Sequence, residues 1–228
     1  MHVLVTRPLE DGEEIAARLA EMGHRALLAP LLTPYFPDGP EPDFQDVQAV
    51  LITSANGVRA LIRRTARRDL PIFAVGPQTT QEAQAAGFTD IKNADGDARK
   101  LAQSTARWTT PDKGVLLHVC GEEAPGTLAG ALAGSGFTVR RAALYRVNAA
   151  TVLPPQAEQA LRDGTLDAAL FFSPRSARIF CDLAAHLPTG KLIAFCISPV
   201  TAQALTLAFR EVRVAAAPNQ AALLALLE

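Results

Sequence analysis

Six short turns carry the groups in this sequence that could bind or activate a substrate. They are Thr6-Arg7-Pro8, Thr53-Ser54-Ala55-Asn56, Val75-Gly76-Pro77-Gln78-Thr79-Thr80, Cys120-Gly121, Ser173-Pro174-Arg175-Ser176 and Ser198-Pro199-Val200-Thr201. Each follows an apolar run that reads as a buried strand, and helical patterns follow. Ser and Thr at such corners cap helix N-termini, where unsatisfied backbone N–H groups carry partial positive charge. The corners are seats for anions, although capping alone also accounts for the hydroxyls. Arg7 and Arg175 add guanidinium groups that either clamp a carboxylate through paired hydrogen bonds or sit in surface ion pairs. Tyr145 closes a long strand, its phenol either the wet tip of a packed aromatic or a group that meets ligand. Tyr35 reads as structural. The chemistry on offer is the holding of several acids by dipoles and hydroxyls.

Other chemistries lack their parts. His2, His24, His118 and His186 are scattered, with no pair at i, i+4 and no carboxylate triad, so no metal site or catalytic histidine is expected. Cys120, Cys181 and Cys196 are far apart and odd in number, which fits a reducing cytoplasm better than a disulfide framework. Cys120 reads as a small buried residue. There is no G-x-G-x-x-G, G-x-x-x-x-G-K-[ST] or G-x-S-x-G, so nucleotide-binding and hydrolase readings fail. With 22 Lys and Arg against 23 Asp and Glu, the net charge of -1 offers no nucleic-acid footprint. No apolar run reaches the length of about 20 that spans a bilayer. The chain opens directly into a strand at His2 and shows no signal-peptide pattern.

The elements that must position these turns alternate in type. Strands are expected at 2–6, 25–32, 47–53, 71–75, 89–92, 114–119, 137–147, 167–172, 191–197 and 211–215. Helices are expected at 8–22, 54–67, 78–87, 96–108, 125–135, 156–163, 174–186, 199–209 and 218–228. Strands separated by helices imply doubly wound parallel sheets, whose ligands sit beyond the strands' carboxyl ends.

The pattern also repeats. Ser54 and Arg59 recur as Ser173 and Arg178, Leu19-Ala-Glu-Met-Gly as Leu132-Ala-Gly-Ser-Gly, and Phe73-Ala-Val-Gly-Pro-Gln-Thr as Phe195-Cys-Ile-Ser-Pro-Val-Thr. Proline-rich stretches fall inside each copy instead of between them, so segments are expected to swap. One discontinuous α/β domain would combine 1–33 with 151–228, a second would span 43–143, and linkers at 34–42 and 144–150 would form a two-stranded connection. Corners from the two domains would then face one another across a cleft.

Taken in order, Thr6-Arg7-Pro8, Ile-Thr-Ser-Ala-Asn-Gly-Val at 52–58, Ala-Val-Gly-Pro-Gln-Thr at 74–79, Ala-Leu-Tyr-Arg-Val at 143–147, Phe-Phe-Ser-Pro at 171–174 and Pro-Val-Thr-Ala at 199–202 resemble uroporphyrinogen-III synthase across essentially the whole chain. The resemblance implies a lyase of haem and tetrapyrrole biosynthesis. Such an enzyme cyclises hydroxymethylbilane to uroporphyrinogen III with inversion of ring D and loss of water through a spiro intermediate. It implies no cofactor and no metal. Tyr145 matches a tyrosine proposed to help the leaving hydroxyl depart. Ser54, Thr79, Ser173 and Thr201 match residues expected to hold carboxylates, and the binding set extends to Arg7, Thr53, Ala55, Gly76, Gly121 and Arg175. A monomeric cytoplasmic enzyme acting on a small molecule, with neither nucleic acid nor membrane as partner, follows as the expectation.

One stretch departs from the family pattern. Cys120-Gly-Glu-Glu-Ala-Pro125 is acidic where members of the family often carry a basic residue. Such a turn either points away from a polyanionic substrate or marks a relative with altered activity. The competing functions are a non-catalytic two-domain binder or sensor of an anionic small molecule, and a scaffold.

Overall fold

A computed structural model describes all 228 residues. The chain opens with β1 (His2–Val5), α1 (Leu9–Glu21), β2 (Arg25–Leu28) and β3 (Leu32–Tyr35). It continues through β4 (Val47–Ile52), α2 (Ala55–Arg64), β5 (Ile72–Ala74), α3 (Pro77–Ala85), β6 (Ile91–Asn93) and α4 (Ala98–Trp108). Next come β7 (Val115–Gly121), α5 (Thr127–Ala133), β8 (Val139–Ala149), α6 (Pro155–Arg162), β9 (Ala168–Phe171) and α7 (Pro174–Leu183). The last elements are β10 (Ile193–Cys196), α8 (Pro199–Gln203), β11 (Glu211–Val214) and α9 (Gln220–Leu224).

Two compact units result: unit 1 holds Met1–Thr33 and Asn148–Glu228, and unit 2 holds Pro34–Val147. Unit 1 is built on a sheet of order β11-β10-β9-β1-β2, paired in parallel throughout. The second sheet runs β3-β8-β7-β4-β5-β6, parallel from β8 to β6. This is the doubly wound α/β architecture expected from the alternation.

The registers make the duplication visible. Val3 pairs with Ala168 in unit 1 as Leu116 pairs with Ala49 in unit 2. Hence β1, β2, β9, β10 and β11 match β7, β8, β4, β5 and β6. Successive strand residues point to opposite faces, so each sheet buries two layers. In unit 2, Val50, Ile52, Leu117 and Val119 pack against Val58 and Leu61 of α2. Ala49, Leu51, Phe73 and Leu116 face Leu101 of α4 and Leu128 and Leu132 of α5.

Several elements differ from the sequence-based expectation for physical reasons. The helix expected over 199–209 ends at Gln203. Leu205, Leu207 and Phe209, separated by Thr206 and Ala208, lie in irregular chain and pack against the unit 1 core. Residues 148–149, expected in a linker, continue β8. The helix expected over 54–67 stops at Arg64, because Thr65 is extended (φ −150°, ψ 144°). Arg64 instead fastens the proline-rich stretch, donating to the carbonyls of Pro37 (2.8 Å) and Pro40 (2.9 Å).

Candidate functional site

In unit 2 the winding reverses at β4. From there the chain proceeds outward through β5 and β6, then returns to β7 on the other flank of β4. The turns after β4 and β7 therefore border the switch point, where doubly wound folds place ligands. Ser54 is the N-cap of α2, accepting from Gly57 N at 3.3 Å. Its hydroxyl also lies 2.8 Å from the Tyr145 hydroxyl, which β8 delivers from 91 positions away. Tyr145 is only 8% exposed. Burial pushes its phenol above the ordinary value of 10, opposed in part by the Ser54 hydrogen bond. The two groups thus form a neutral hydroxyl pair that keeps its protons and carries no charge.

Gly121 makes room for the ring. The ladder between β7 and β8 shifts register at Cys120 and Gly121, and Gly121 then opposes Tyr145. A Cβ at Gly121 would stand 3.2 and 3.3 Å from the ring's Cε2 and Cζ. Glu122 N donates to Tyr145 O at 2.8 Å, locking the bulge. Phe36 stacks at a tilt, 6.2 Å between centroids, with the Arg63 guanidinium 4.3 Å over its own ring.

The remaining expected residues of unit 2 follow the carboxyl ends of β4 and β5. Ala55, buried, begins α2. Gly76 caps α3 through its backbone alone, and Thr79 is buried at that helix's third position. Thr53 borders a cavity of about 410 Å³ on the opposite face of the sheet, shared with Gly96, Asp97, His118, Pro125 and Thr127. The acidic turn exposes both Glu122 and Glu123. Arg141 of β8 donates to Ala124 O at 2.9 Å, so a cation accompanies that turn after all.

Unit 1 presents the counterpart corner. Thr6, Arg7, Pro8, Leu32, Ser173 and Ser176 border a cavity of about 190 Å³. Arg7 is tied to Asp11 in an ion pair and lies 4.9 Å over the Phe172 ring. Ser173 caps α7, accepting from Ser176 N at 3.1 Å. Arg175 sits half-buried in the first turn of α7, outside that cavity's wall. Thr201 is buried, with its hydroxyl 3.0 Å from that of Ser198.

The structure thus brings Tyr145, Ser54 and Gly121 together, and separately Arg7 with Ser173. Thr79 and Thr201 lie inside first helical turns. Sequence reasoning passed over His118, a lone histidine within an apolar strand; its position at the face that meets α4 and α5 was the available signal. No group of three His, Cys, Asp or Glu residues could hold a metal. No helix is long and apolar enough to cross a membrane.

Comparison with known proteins agrees over nearly the full length. The family model described as uroporphyrinogen-III synthase HemD matches residues 13–225. No curated protein sequence matches the chain. Among solved structures, uroporphyrinogen-III synthetase from Helicobacter pylori is 17% identical, with TM-score 0.68, over 99% of this chain and 97% of that one. A triple mutant of uroporphyrinogen III synthase from the extremely thermophilic bacterium Thermus thermophilus is 20% identical, with TM-score 0.54, over 93% and 92% of the respective chains.

Proposed function

We propose, from the premise that the chain belongs to the uroporphyrinogen-III synthase family, that it cyclises hydroxymethylbilane to uroporphyrinogen III. The observation that carries this reading is the family match over residues 13–225. The 2.8 Å pairing of Tyr145 with Ser54 supports Tyr145 as the catalytic group. In the reaction the terminal hydroxymethyl carbon loses its hydroxyl as water. The cationic carbon then bonds to the substituted position of ring D, the spiro intermediate opens, and closure leaves that ring inverted. Tyr145 donates its phenolic proton to the departing hydroxyl, and Ser54 holds the phenol on line. A phenol whose pKa is raised by burial keeps its proton at neutral pH, as this role requires.

The substrate's acetate and propionate arms meet helix N-termini and hydroxyls: Thr53, Ser54, Ala55, Gly76, Thr79 and Gly121 in unit 2, and Arg7, Ser173, Arg175 and Thr201 in unit 1. Holding a reactive chain in one folded shape supplies much of the acceleration through positioning. We read the protein as a cytoplasmic monomer acting on a small molecule; its net charge of -1 gives no purchase on nucleic acid. The test is an isomer assay. Purified protein with hydroxymethylbilane should yield the type III product, whereas spontaneous closure yields type I. Type I alone would remove the assignment.

A further inference from the structure

The face of β7 toward α4 and α5 carries a group that the cyclisation leaves idle. His118 is 2% exposed, and neither ring nitrogen has a hydrogen-bond partner in the protein. Buried polar atoms nearly always find one, because leaving them unpaired is costly. His118 borders the cavity of about 410 Å³ described above, together with Thr53, Gly96, Asp97, Pro125 and Thr127.

Unit 1 demonstrates that the fold itself does not call for this histidine. Val5 occupies the matching place, 113 positions earlier. Where His118 pairs in register with Arg141, Val5 pairs with Leu28. The helix above differs as well. In unit 1, α1 begins at Leu9, and a Cβ on its Gly12 would stand 3.4 Å from Leu28 and 3.9 Å from Val5. That corner is filled. In unit 2 the position matching Leu9 is Glu122, yet α5 does not begin until Thr127. The cavity lies where unit 1 has the first turn of a helix. A polar pair and a missing turn thus coincide at one place in one unit only.

We propose that this cavity seats one carboxylate arm of the tetrapyrrole substrate, with His118 donating from a ring N–H. The proposal rests on the function given above. Asp97 lines the cavity, but its carboxylate serves as the cap of α4, accepting from Lys100 N at 2.9 Å. The first turn of α4, a helix of 11 residues, contributes its positive end. Arg141 stands on the neighbouring strand, donating to Ala124 O and, at 3.7 Å, to Cys120 Sγ. Burial, with the Arg141 charge adding to it, keeps the His118 ring neutral, with a pKa of about 4. The cavity's size suits an arm and part of its ring, since pockets for whole drug-sized ligands run from about 300 to 1,000 Å³.

The test uses the full chain labelled with ¹⁵N-histidine, the His118 signals being assigned with His118→Gln. The probe is a pyrrole bearing one acetate and one propionate, and the control is the same pyrrole as its diamide. The His118 ring signals should shift saturably with the diacid and stay still with the diamide. In kinetics, His118→Leu should raise KM for hydroxymethylbilane about tenfold, the loss of one hydrogen bond, with a smaller change in kcat. His118→Gln, which keeps a donor, should recover most of that loss. Should the leucine variant fail to fold, the wild-type spectra decide alone. Signals indifferent to the diacid, in protein that makes the type III isomer, overturn the site and leave the function standing. A diacid response in protein that yields only type I supports the carboxylate seat while removing the function. Equal shifts with the diamide overturn the carboxylate.

Discussion

Corresponding corners of the two units share a backbone and differ in what their hydroxyls face. In unit 1, Ser173 Oγ lies 3.0 Å from Ser176 Oγ, and Ser198 Oγ lies 3.0 Å from Thr201 Oγ1. These corners satisfy themselves. In unit 2 the residue matching Ser176 is Gly57, the one matching Ser198 is Gly76, and the one matching Leu32 is Tyr145. Ser54 therefore turns to a phenol instead of a neighbouring hydroxyl. Gly57 is also required by packing, because a Cβ there would meet Ile52 Cγ2 at 2.7 Å. A glycine in the first helical turn thus accompanies the difference between a corner whose hydroxyl meets a neighbouring serine and one whose hydroxyl meets the Tyr145 phenol.

The contrast can be tested from its largest expected effect downward. Acid should weaken the fold through His118 and not through its counterpart Val5. The histidine takes its proton near pH 6.5 when unfolded and near about 4 when folded. The unfolded chain binds the proton first, so stability falls as pH drops through that window, by about 3 kcal/mol in all. Urea titrations at pH 7, 5.5 and 4 read the slope, and His118→Val, which copies unit 1, should flatten it. A slope indifferent to that change would assign the acid sensitivity elsewhere.

Tyr145→Phe comes next, with an expected loss of about 100-fold in kcat and a smaller change in KM, the scale of a missing general acid. Stopped-flow formation of the type III isomer measures it, and an unchanged kcat would demote Tyr145 to a packing residue. Gly57→Ser rebuilds the self-satisfied corner in unit 2. Overpacking against Ile52 should cost about 2 kcal/mol in denaturant unfolding, and turnover should fall as Ser54 is drawn from the phenol. The smallest effects separate the two caps. Ser54→Ala should lower kcat about tenfold through the loss of one hydrogen bond to the phenol. Ser173→Ala should cost about 1 kcal/mol of stability with less effect on kcat. Equal kcat losses in the two variants would erase the asymmetry.

Much of the architecture was legible because hydrophobic period and turn chemistry agree along the chain. Strands such as Val47–Ile52 are short apolar runs ending in a Ser cap, and they appear where the pattern put them. The helix expected over 199–209 was misjudged because Pro199 and Ser198 announce a start, whereas Leu205, Leu207 and Phe209, spaced by two, lie in irregular chain beyond its end at Gln203. Within the site, the Ser and Thr corners were visible as caps. The meeting of Ser54 with Tyr145 spans 91 positions and depends on a bulge at Gly121, which no local pattern encodes. His118 escaped notice for a similar reason: its significance lies in a helix that starts late, a property of its neighbours rather than of its own strand.

In unit 1, β1 lies between β2 and β9, and Thr6 Oγ1 donates to Leu170 O across 164 positions of sequence. On the ribosome, the first thirty or so residues therefore emerge with a bare sheet edge that stays unmatched while all of unit 2 is made. The inner portion of the chain has every strand it needs before the outer portion does, so assembly proceeds from the middle outward. A chain terminated after Val147 but ahead of β9 would strand its own N-terminus, leaving an adhesive edge tethered to an otherwise complete unit.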